Sequence, residues 1–353
     1  MPGFHISTPV PLPRWLFAVL VSGLLALTGC AATQAMSGMA ALAVTQVTPG
    51  VFVHIGALED FAPSNGGDVA NTGFVVGSRC VAVIDTGGTP RVGAALRAAV
   101  DRATLLPVCY VINTHAHPDH MLGNIAFVTA NQPVPQFVAS ARFTRTLAAR
   151  EPYYLNLLQR DFGIRLTHAA IVYPTISVDK SIDLDLGDRI LTLQAWPTAH
   201  TDNDLTVYDR RTRTLFASDL LFVEHLPALD GSLRGWVSVM AELKRLDVAT
   251  VVPGHGGISN DWPAVMDKQA SYLNGLLRDT HAAIKGLLPI QQAVDRIGVS
   301  PAAHWLLADR FHRRNVTAAY AELEWEDDEP ETHAAPSPQG SSPLEATRPG
   351  PRF

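Results

Sequence analysis

The sequence predicts an α/β fold followed by a helical C-terminal part. Short apolar runs alternate with helical spacing, and polar residues gather where the runs end. The 353-residue chain can bury a large core, and a composition of 47% hydrophobic and 17% charged residues is typical of globular proteins. A net charge of −6 argues against nucleic acid as a partner, because phosphate backbones are bound by basic surfaces.

The first thirty residues have the pattern of an export signal. Arg14 precedes an apolar run over residues 15–27, which is shorter than the roughly 20 residues that span a bilayer as a helix. Leu27-Thr28-Gly29-Cys30 resembles the lipobox of bacterial lipoproteins, whose cysteine is acylated. We predict a signal peptide over residues 1–30, lipid attachment at Cys30 and a periplasmic location, with membrane contact only through the lipid. The alternative is cleavage near residues 40–43, which would release a soluble periplasmic protein.

Strand and helix signals place the folded part at residues 46–260, behind a linker at residues 31–45. We predict strands at residues 47–55, 72–76, 79–84 and 107–112, with a helix at residues 89–102. A helix at residues 142–162, two β-pairs at residues 182–193 and 205–222, a helix at residues 235–246 and a strand at residues 249–252 follow. Residues 261–326 have helical spacing, and the Pro-, Ser- and Gly-rich residues 327–353 predict a disordered tail.

Two cysteines stand inside this predicted domain. Cys80 and Cys109 both begin apolar runs, so we expect two small core side chains. An oxidising compartment permits a disulfide, but a sequence does not show that two Cα atoms come close enough. We predict that they stay unpaired.

A cluster of metal-ligand residue types follows the strand at residues 107–112. Thr114-His115-Ala116-His117-Pro118-Asp119-His120 combines imidazoles with a carboxylate, a mixture that suits zinc. His115 and His117 occupy alternate positions and can share one ion, whereas Asp119 and His120 turn towards a second. Further candidates stand at the ends of later β-segments: His200, Asp219 and His255. Each of these alone is more often a cap or a core residue, but their number and order predict a metal site.

These residues resemble the complete ligand set of the metallo-β-lactamase superfamily over residues 47–257, with Asp85-Thr86-Gly87 in the place of its upstream aspartate motif. The resemblance implies an αββα sandwich with two zinc ions in a cleft at one edge. It also implies that Asp219 bridges the ions and that Asp85 orients the ligand loop without binding metal. The implied ligands are His115, His117 and His200 for the first ion and Asp119, His120 and His255 for the second.

A closer likeness is carried by residues 186–189, 199–207, 229–236 and 314–326. These segments are similar to the quinoprotein relay system zinc metallohydrolases, which are exported, sulfur-oxidation-hydrolase-like proteins associated with alcohol oxidation dependent on pyrroloquinoline quinone. The likeness implies a periplasmic quinoprotein as a partner, beside a small-molecule substrate.

Two zinc ions a few Å apart would lower the pKa of a shared water to about 7 and so supply a bridging hydroxide as the nucleophile. Asp119 would accept the proton of that water and is the predicted catalytic residue. True β-lactamases carry Cys or Ser where this chain has Asp219, whereas a bridging aspartate is similar to thioesterases of the glyoxalase II type and to lactonases. The predicted reaction is therefore thioester or ester hydrolysis, with β-lactam or lactone hydrolysis as the alternative.

A different class of function is a metal-loaded, non-catalytic binding protein for a quinoprotein system. The number of ligands argues against it, because a structural zinc site is typically closed by four. Two smaller expectations concern the surroundings of the site. We expect His225 to be an exposed loop histidine, the alternative being that it lines the mouth of the cleft. We leave open whether the helices of residues 261–326 cover the cleft or only pack beside it.

Overall fold

This computed structural model describes Gly3, residues 41–130 and residues 132–325. Apart from Gly3, the predicted signal peptide with Cys30 lies outside these residues, as do residues 31–40 of the predicted linker and the predicted tail. The remaining linker residues lie against the domain, since Leu42 donates its N–H to Ala95 O at 3.0 Å. The first strand begins at Thr45.

The first β-sheet holds seven strands in chain order, β1 to β7. Neighbours from β1 to β4 pair antiparallel, and neighbours from β4 to β7 pair parallel. Their bounds are β1 Thr45–Thr48, β2 Val51–His54, β3 Thr72–Val76, β4 Val81–Ile84, β5 Val108–Ile112, β6 Gln136–Ser140 and β7 Ile176–Val178.

The second sheet holds five strands in the order β12-β11-β10-β9-β8. All neighbours pair antiparallel except β11 and β12, which are parallel. The bounds are β8 Ser181–Asp185, β9 Ile190–Ala195, β10 Leu205–Asp209, β11 Thr214–Phe222 and β12 Thr250–His255.

Eight α-helices lie in the described part of the chain. They are α1 Pro90–Ala103, α2 Pro118–Met121, α3 Phe143–Phe162, α4 Leu233–Leu243, α5 Asp267–Lys285, α6 Ile290–Arg296, α7 Val299–Ala302 and α8 Ala308–Leu323. Local chemistry sets several of their ends. At α1, Thr89 Oγ1 accepts the Val92 N–H and Pro90 occupies the first turn. Within these residues no helix has the length and apolar character needed to cross a membrane.

Three apolar layers make an αββα sandwich. The inner faces of the two sheets meet in one core that includes Ile84 and Leu193. The outer face of the first sheet packs on α1 around Leu96, and that of the second sheet packs on α4, α5 and α8 around Trp236 and Leu273. The predicted sandwich and helical C-terminal part are therefore confirmed.

A buried ion pair joins the two sheets at one end. Arg189 donates to both carboxylate oxygens of Asp209, at 3.0 and 2.6 Å, and both side chains are almost fully buried. Its Nη1 also donates to Pro49 O and Val76 O in the first sheet, each at 3.0 Å. Because each of the three guanidinium nitrogens of Arg189 donates at least one hydrogen bond, this pair avoids the destabilisation that an unpaired buried charge would cause.

The prediction that Cys80 and Cys109 stay unpaired is wrong. They form a disulfide, with their Cα atoms 5.8 Å apart, inside the normal range for such bonds. The reason is the register of two parallel strands: Val81, next to Cys80, pairs with Val108, next to Cys109. Strand register depends on the whole sheet and is not visible in two isolated apolar runs.

The disulfide is expected to stabilise the fold by restricting the unfolded chain. Because it joins residues separated by 29 positions, Cys80→Ala should lower the free energy of unfolding by about 3.6 kcal/mol. Chemical unfolding of the mature protein with and without reductant measures this. Reductant should lower the free energy of unfolding of the wild type to that of the variant, and should not change the value for the variant. Equal unfolding midpoints for the oxidised and reduced wild type would contradict the prediction.

Candidate metal centre

The predicted ligands come from four places where a strand ends or bends. His115 follows β5, and α2 begins at Pro118, so that Asp119 and His120 lie in its first turn. His200 follows β9. Asp219 lies in β11 at an irregularity in its pairing with β12, and His255 ends β12. The structure therefore brings all seven residues to one edge of the sandwich.

The ligand atoms form two groups. Within each group, one nitrogen or oxygen from every residue lies within 4.8 Å of the others. Both groups match the division that the family resemblance implies. They are His115, His117, His200 and Asp219, and Asp119, His120 and His255.

Asp219 contacts imidazoles of both groups. Its Oδ2 lies 3.3 Å from His200 Nε2 and 3.7 Å from His115 Nε2. It also lies 3.5 Å from His255 Nε2, and Oδ1 lies 3.1 Å from His120 Nε2. This central carboxylate can therefore serve two cations at once.

Each histidine has one ring nitrogen held from outside the cluster. His200 Nδ1 contacts Ala228 O at 2.6 Å, and His255 Nδ1 contacts Val69 O at 2.9 Å. His115 Nδ1 lies 3.2 Å from Thr114 Oγ1. Those of His117 and His120 are held by carboxylates described below. Such outer contacts fix the tautomer and turn the other nitrogen towards the centre, as in protein metal sites.

The donor set fits divalent metal ions. Within the described part of the chain, His115 Nε2, His120 Nε2 and Asp219 Oδ1 are buried at the centre and make no well-aligned hydrogen bond, although His120 Nε2 and Asp219 Oδ1 lie 3.1 Å apart. Leaving buried polar atoms unsatisfied costs about 1–3 kcal/mol each. Cations held within the two ligand groups would satisfy them, and a mixture of imidazoles and carboxylates is one that zinc accepts.

Burial and charge set the protonation of the cluster. Burial lowers the pKa of His200 to about 4 and that of His115 well below its ordinary value. Burial alone would raise the pKa of Asp219, but the nearby imidazoles, His120 first, hold it well below its usual range. His120 and His255 differ, because Asp219 and the other nearby carboxylates outweigh the effect of burial and raise the pKa of each imidazole. Metal binds neutral imidazole and ionised carboxylate, so a cation would displace the proton of any charged ring in the cluster.

Asp85 supports the ligand loop from below. Its carboxylate accepts hydrogen bonds from Thr114 N at 2.8 Å and Thr114 Oγ1 at 2.7 Å. The same group contacts His120 Nδ1 at 2.8 Å. Asp85 has φ of 54°, a left-handed backbone conformation that aspartate tolerates better than most residues. It holds a ligand and the loop and does not itself face the centre of the cluster.

Two residues fix the position of the strand that carries His255. A Cβ added at Gly254 would lie 1.8 Å from Asp219 Oδ1, so only glycine allows β12 to approach the central carboxylate. Asn71 donates to Pro253 O and Gly256 O, at 2.8 and 2.9 Å, on either side of the ligand.

The sequence interpretation missed Asp230. His117 Nε2 lies 2.9 Å from Asp230 Oδ2, and Arg150 donates to the same oxygen at 2.6 Å. Burial opposes the charge on Asp230, but His117 and Arg150 outweigh it and lower the pKa of this carboxyl far below its usual range. The glycine that follows Asp230 was the one signal visible in the sequence. The structure explains it, because a Cβ at Gly231 would lie 2.4 Å from Ala199 O. That close approach brings the loop against the ligand segments.

The expectation that His225 is exposed is wrong. Only 3% of the residue is accessible, because Phe222 and Phe311 pack on its ring with centroids 5.2 and 5.0 Å away. Burial lowers its pKa to about 4. His225 lines the cleft above the cluster, where it presents a neutral imidazole.

The cleft above the ligands has a volume of about 330 Å³. One wall is the loop at residues 59–61, a second is α3 through Tyr153 and Leu157, and a third is α8 through Phe311 and Asn315. The helical C-terminal part therefore covers the cleft as well as packing beside it.

Helix α8 also holds the loop that orients two ligands. Asn315 Oδ1 accepts the Leu229 N–H at 3.0 Å, and its Nδ2 donates to Pro227 O at 2.6 Å. Between these residues lies Ala228, whose carbonyl contacts His200, and Asp230 follows directly. Glu322, the penultimate residue of α8, accepts the Leu233 N–H at 2.6 Å.

Comparisons with known proteins agree with this site. The model of the metallo-beta-lactamase superfamily matches residues 65–255, more than half of the chain. No curated protein matches the chain. Among solved structures, it is similar to a metallo-beta-lactamase from Pontibacter korlensis, with a TM-score of 0.53, 20% identity and coverage of 66% of this chain and 99% of that chain.

It is also similar to a double mutant of the sec-alkyl sulfatase PisA1, with a TM-score of 0.60 and 16% identity. That match covers 84% of this chain and 52% of the sulfatase, so the chain spans about half of that protein. Fold and site define a metal-dependent hydrolase. The chain belongs to the metallo-beta-lactamase superfamily.

The contact between Asp230 and His117 can be tested through metal affinity. Asp230→Asn removes the charge that orients His117 and should weaken metal binding about tenfold to a hundredfold. Competition with a chromogenic chelator measures the affinity. The control is Asp183→Asn, which breaks an exposed ion pair with Arg210. Unchanged metal affinity in Asp230→Asn would show that this contact does not support the site.

Proposed function

We propose that the protein is an exported, zinc-dependent hydrolase that cleaves a thioester or ester bond in a small molecule, as an accessory to periplasmic quinoprotein alcohol oxidation. The position of Asp219 is the observation that carries the hydrolytic part. One carboxylate lies within 3.7 Å of four imidazoles from both ligand groups. This arrangement suits two neighbouring cations facing an accessible cleft.

His115, His117, His200 and Asp219 would hold the first ion, and Asp119, His120, His255 and Asp219 the second. When bound, the ions would supply electrophilic stabilisation of a carbonyl oxygen and lower the pKa of water at the site. Zinc is proposed because imidazole predominates among the ligands.

The chain's own residues position the reactants. The Asp119 carboxylate lies at the floor of the cleft, 3.4 Å from His255 Nε2, and keeps 15% of its side chain accessible. That access lets it accept a proton from an attacking water. Tyr154 donates to Ala116 O at 2.7 Å and so holds the ligand loop in place.

Thioesters and esters rank above β-lactams because of the residue type at position 219. The resemblance places Cys or Ser there in true β-lactamases, and aspartate in thioesterases of the glyoxalase II type. Lactones and β-lactams are the alternative substrates, and a non-catalytic metal-loaded binding protein is the alternative class.

Export is supported by two independent observations. The N-terminal sequence has a positive flank, a short apolar run and the lipobox-like residues before Cys30. The Cys80–Cys109 disulfide suits an oxidising compartment such as the periplasm. The quinoprotein association rests on the sequence likeness alone.

The reaction is tested with a substrate panel. The purified protein, with zinc, should hydrolyse an acyl thioester faster than a lactone, a chromogenic β-lactam or a secondary alkyl sulfate. A chelator should abolish turnover and zinc should restore it. Asp219→Ala should lower kcat/KM at least about a thousandfold, because both cation positions lose a ligand. The control, Asp247→Asn, alters an exposed pair with Arg213. Faster turnover of the β-lactam would contradict the substrate class, and metal binding without any turnover would favour the binding protein.

The location is tested by fractionation of cells that express the full chain. The protein should sediment with membranes, and Cys30→Ala should move it to the soluble fraction because the acylated residue is absent. Mature protein in the periplasm without membrane association would favour cleavage near residues 40–43. Retention of the wild type in the cytoplasm would contradict export.

A further inference from the structure

The cleft above the ligands is lined by four arginines, three of which have carboxylate partners. Arg150 pairs with Asp230 at 2.6 Å, Arg160 with Asp161 at 2.5 Å, and Arg310 with Asp60 at 2.8 Å. The fourth, Arg314, lines the same cleft. It differs from the other three in its contacts.

Arg314 has no carboxylate partner among the described residues. Its contact there is with the ring of Phe311, whose centroid lies 5.8 Å from the guanidinium carbon. Arg314 and Asn315 are neighbours on α8, and both line the cleft. Asn315 holds the loop that orients His200, so the same stretch of helix that supports the ligands places an exposed cation beside them.

We infer that the substrate of this hydrolase carries a carboxylate away from the scissile bond, and that Arg314 binds it. The inference rests on the proposed function and adds the substrate class to it. A guanidinium presents a planar fork of donors that matches the two oxygens of a carboxylate. A single unpaired arginine suits a planar monoanion, whereas a tetrahedral dianion would draw more than one cation.

The rest of the cleft fits the middle of such a substrate. Phe61, Tyr153, Leu157 and Phe311 supply apolar surface in the cleft that Arg314 and the ligand cluster also line. The acidic Glu59 also lines the cleft, but its Oε2 accepts a hydrogen bond from Asn65 Nδ2 at 3.1 Å within its own loop. A short apolar chain with an anionic end therefore complements the walls.

The test compares thioesters with and without a carboxylate. A neutral butyryl thioester is compared with a glutaryl thioester of the same neutral thiol, and with a butyryl thioester of mercaptopropionate. The two charged substrates place the carboxylate on the acyl part or on the leaving thiol. The quantity measured is the ratio of kcat/KM for each charged substrate to that for the neutral one.

In the wild type one charged substrate should be preferred, and Arg314→Gln should lower that ratio about tenfold or more, the loss expected for one hydrogen-bonded ion pair. Arg314→Lys keeps the charge but loses the planar pair of donors, so its ratio of kcat/KM values should lie between those of the wild type and Arg314→Gln. Arg313→Gln is the matched control, because Arg313 is the adjacent residue on α8, pairs with Asp295 at 2.6 Å and does not line the cleft. Equal ratios in the wild type and Arg314→Gln would overturn the inference while leaving the hydrolase in place.

A binding measurement separates this inference from the proposed function. If the wild type hydrolyses no thioester or ester, the proposed function fails. Calorimetric titration of the zinc-loaded protein with monomethyl glutarate then tests Arg314 by itself. Weaker binding in Arg314→Gln than in Arg313→Gln supports the carboxylate site, and equal binding overturns it, since any contact with the metals is common to both variants.

Discussion

Burial of unsatisfied ligand atoms is the constraint on which this structure depends. Five imidazoles and two carboxylates converge at one edge of the sandwich, and three of their polar atoms make no well-aligned hydrogen bond within the described residues. The fold holds them there through the outer nitrogen of each ring, which contacts a carbonyl, a hydroxyl or a carboxylate. The ligands are placed by the ends of the strands that carry them. Gly254 lets β12 approach Asp219 closely, and Asn315 holds the loop that contacts His200. A bound cation would satisfy these buried atoms, and its binding would therefore stabilise the fold.

Features that are local in the chain could be predicted from the sequence. The predicted strand at residues 72–76 coincides with β3, and the predicted helix at residues 142–162 begins one residue before α3. The predicted β-pairs and their polar turns are confirmed in β8 to β11. The histidine cluster near His115 was visible because it lies within a few residues, and the order of His200, Asp219 and His255 supported the family resemblance.

Features that depend on strand register or on segments far apart in the chain could not be predicted from the sequence. The Cys80–Cys109 bond needs the parallel register of β4 and β5. The contact of Asp230 with His117 joins residues separated by 113 positions, and burial of His225 needs Phe311 from α8. The contacts of Asp230 and His225 depend on how the helical C-terminal part packs over the second sheet, which no local pattern specifies. Helix α8 thus supports the ligands and also forms one wall of the cleft.

We expect the converging ligands to form one site for two metal ions. Elemental analysis of the purified mature protein after dialysis tests this, with His115→Ala and Asp219→Ala measured beside the wild type. The wild type should hold about two zinc ions per chain, with a clear loss in His115→Ala and a larger loss in Asp219→Ala, the residue that contacts both groups. Little or no metal in the wild type, or full metal content in Asp219→Ala, would contradict this expectation.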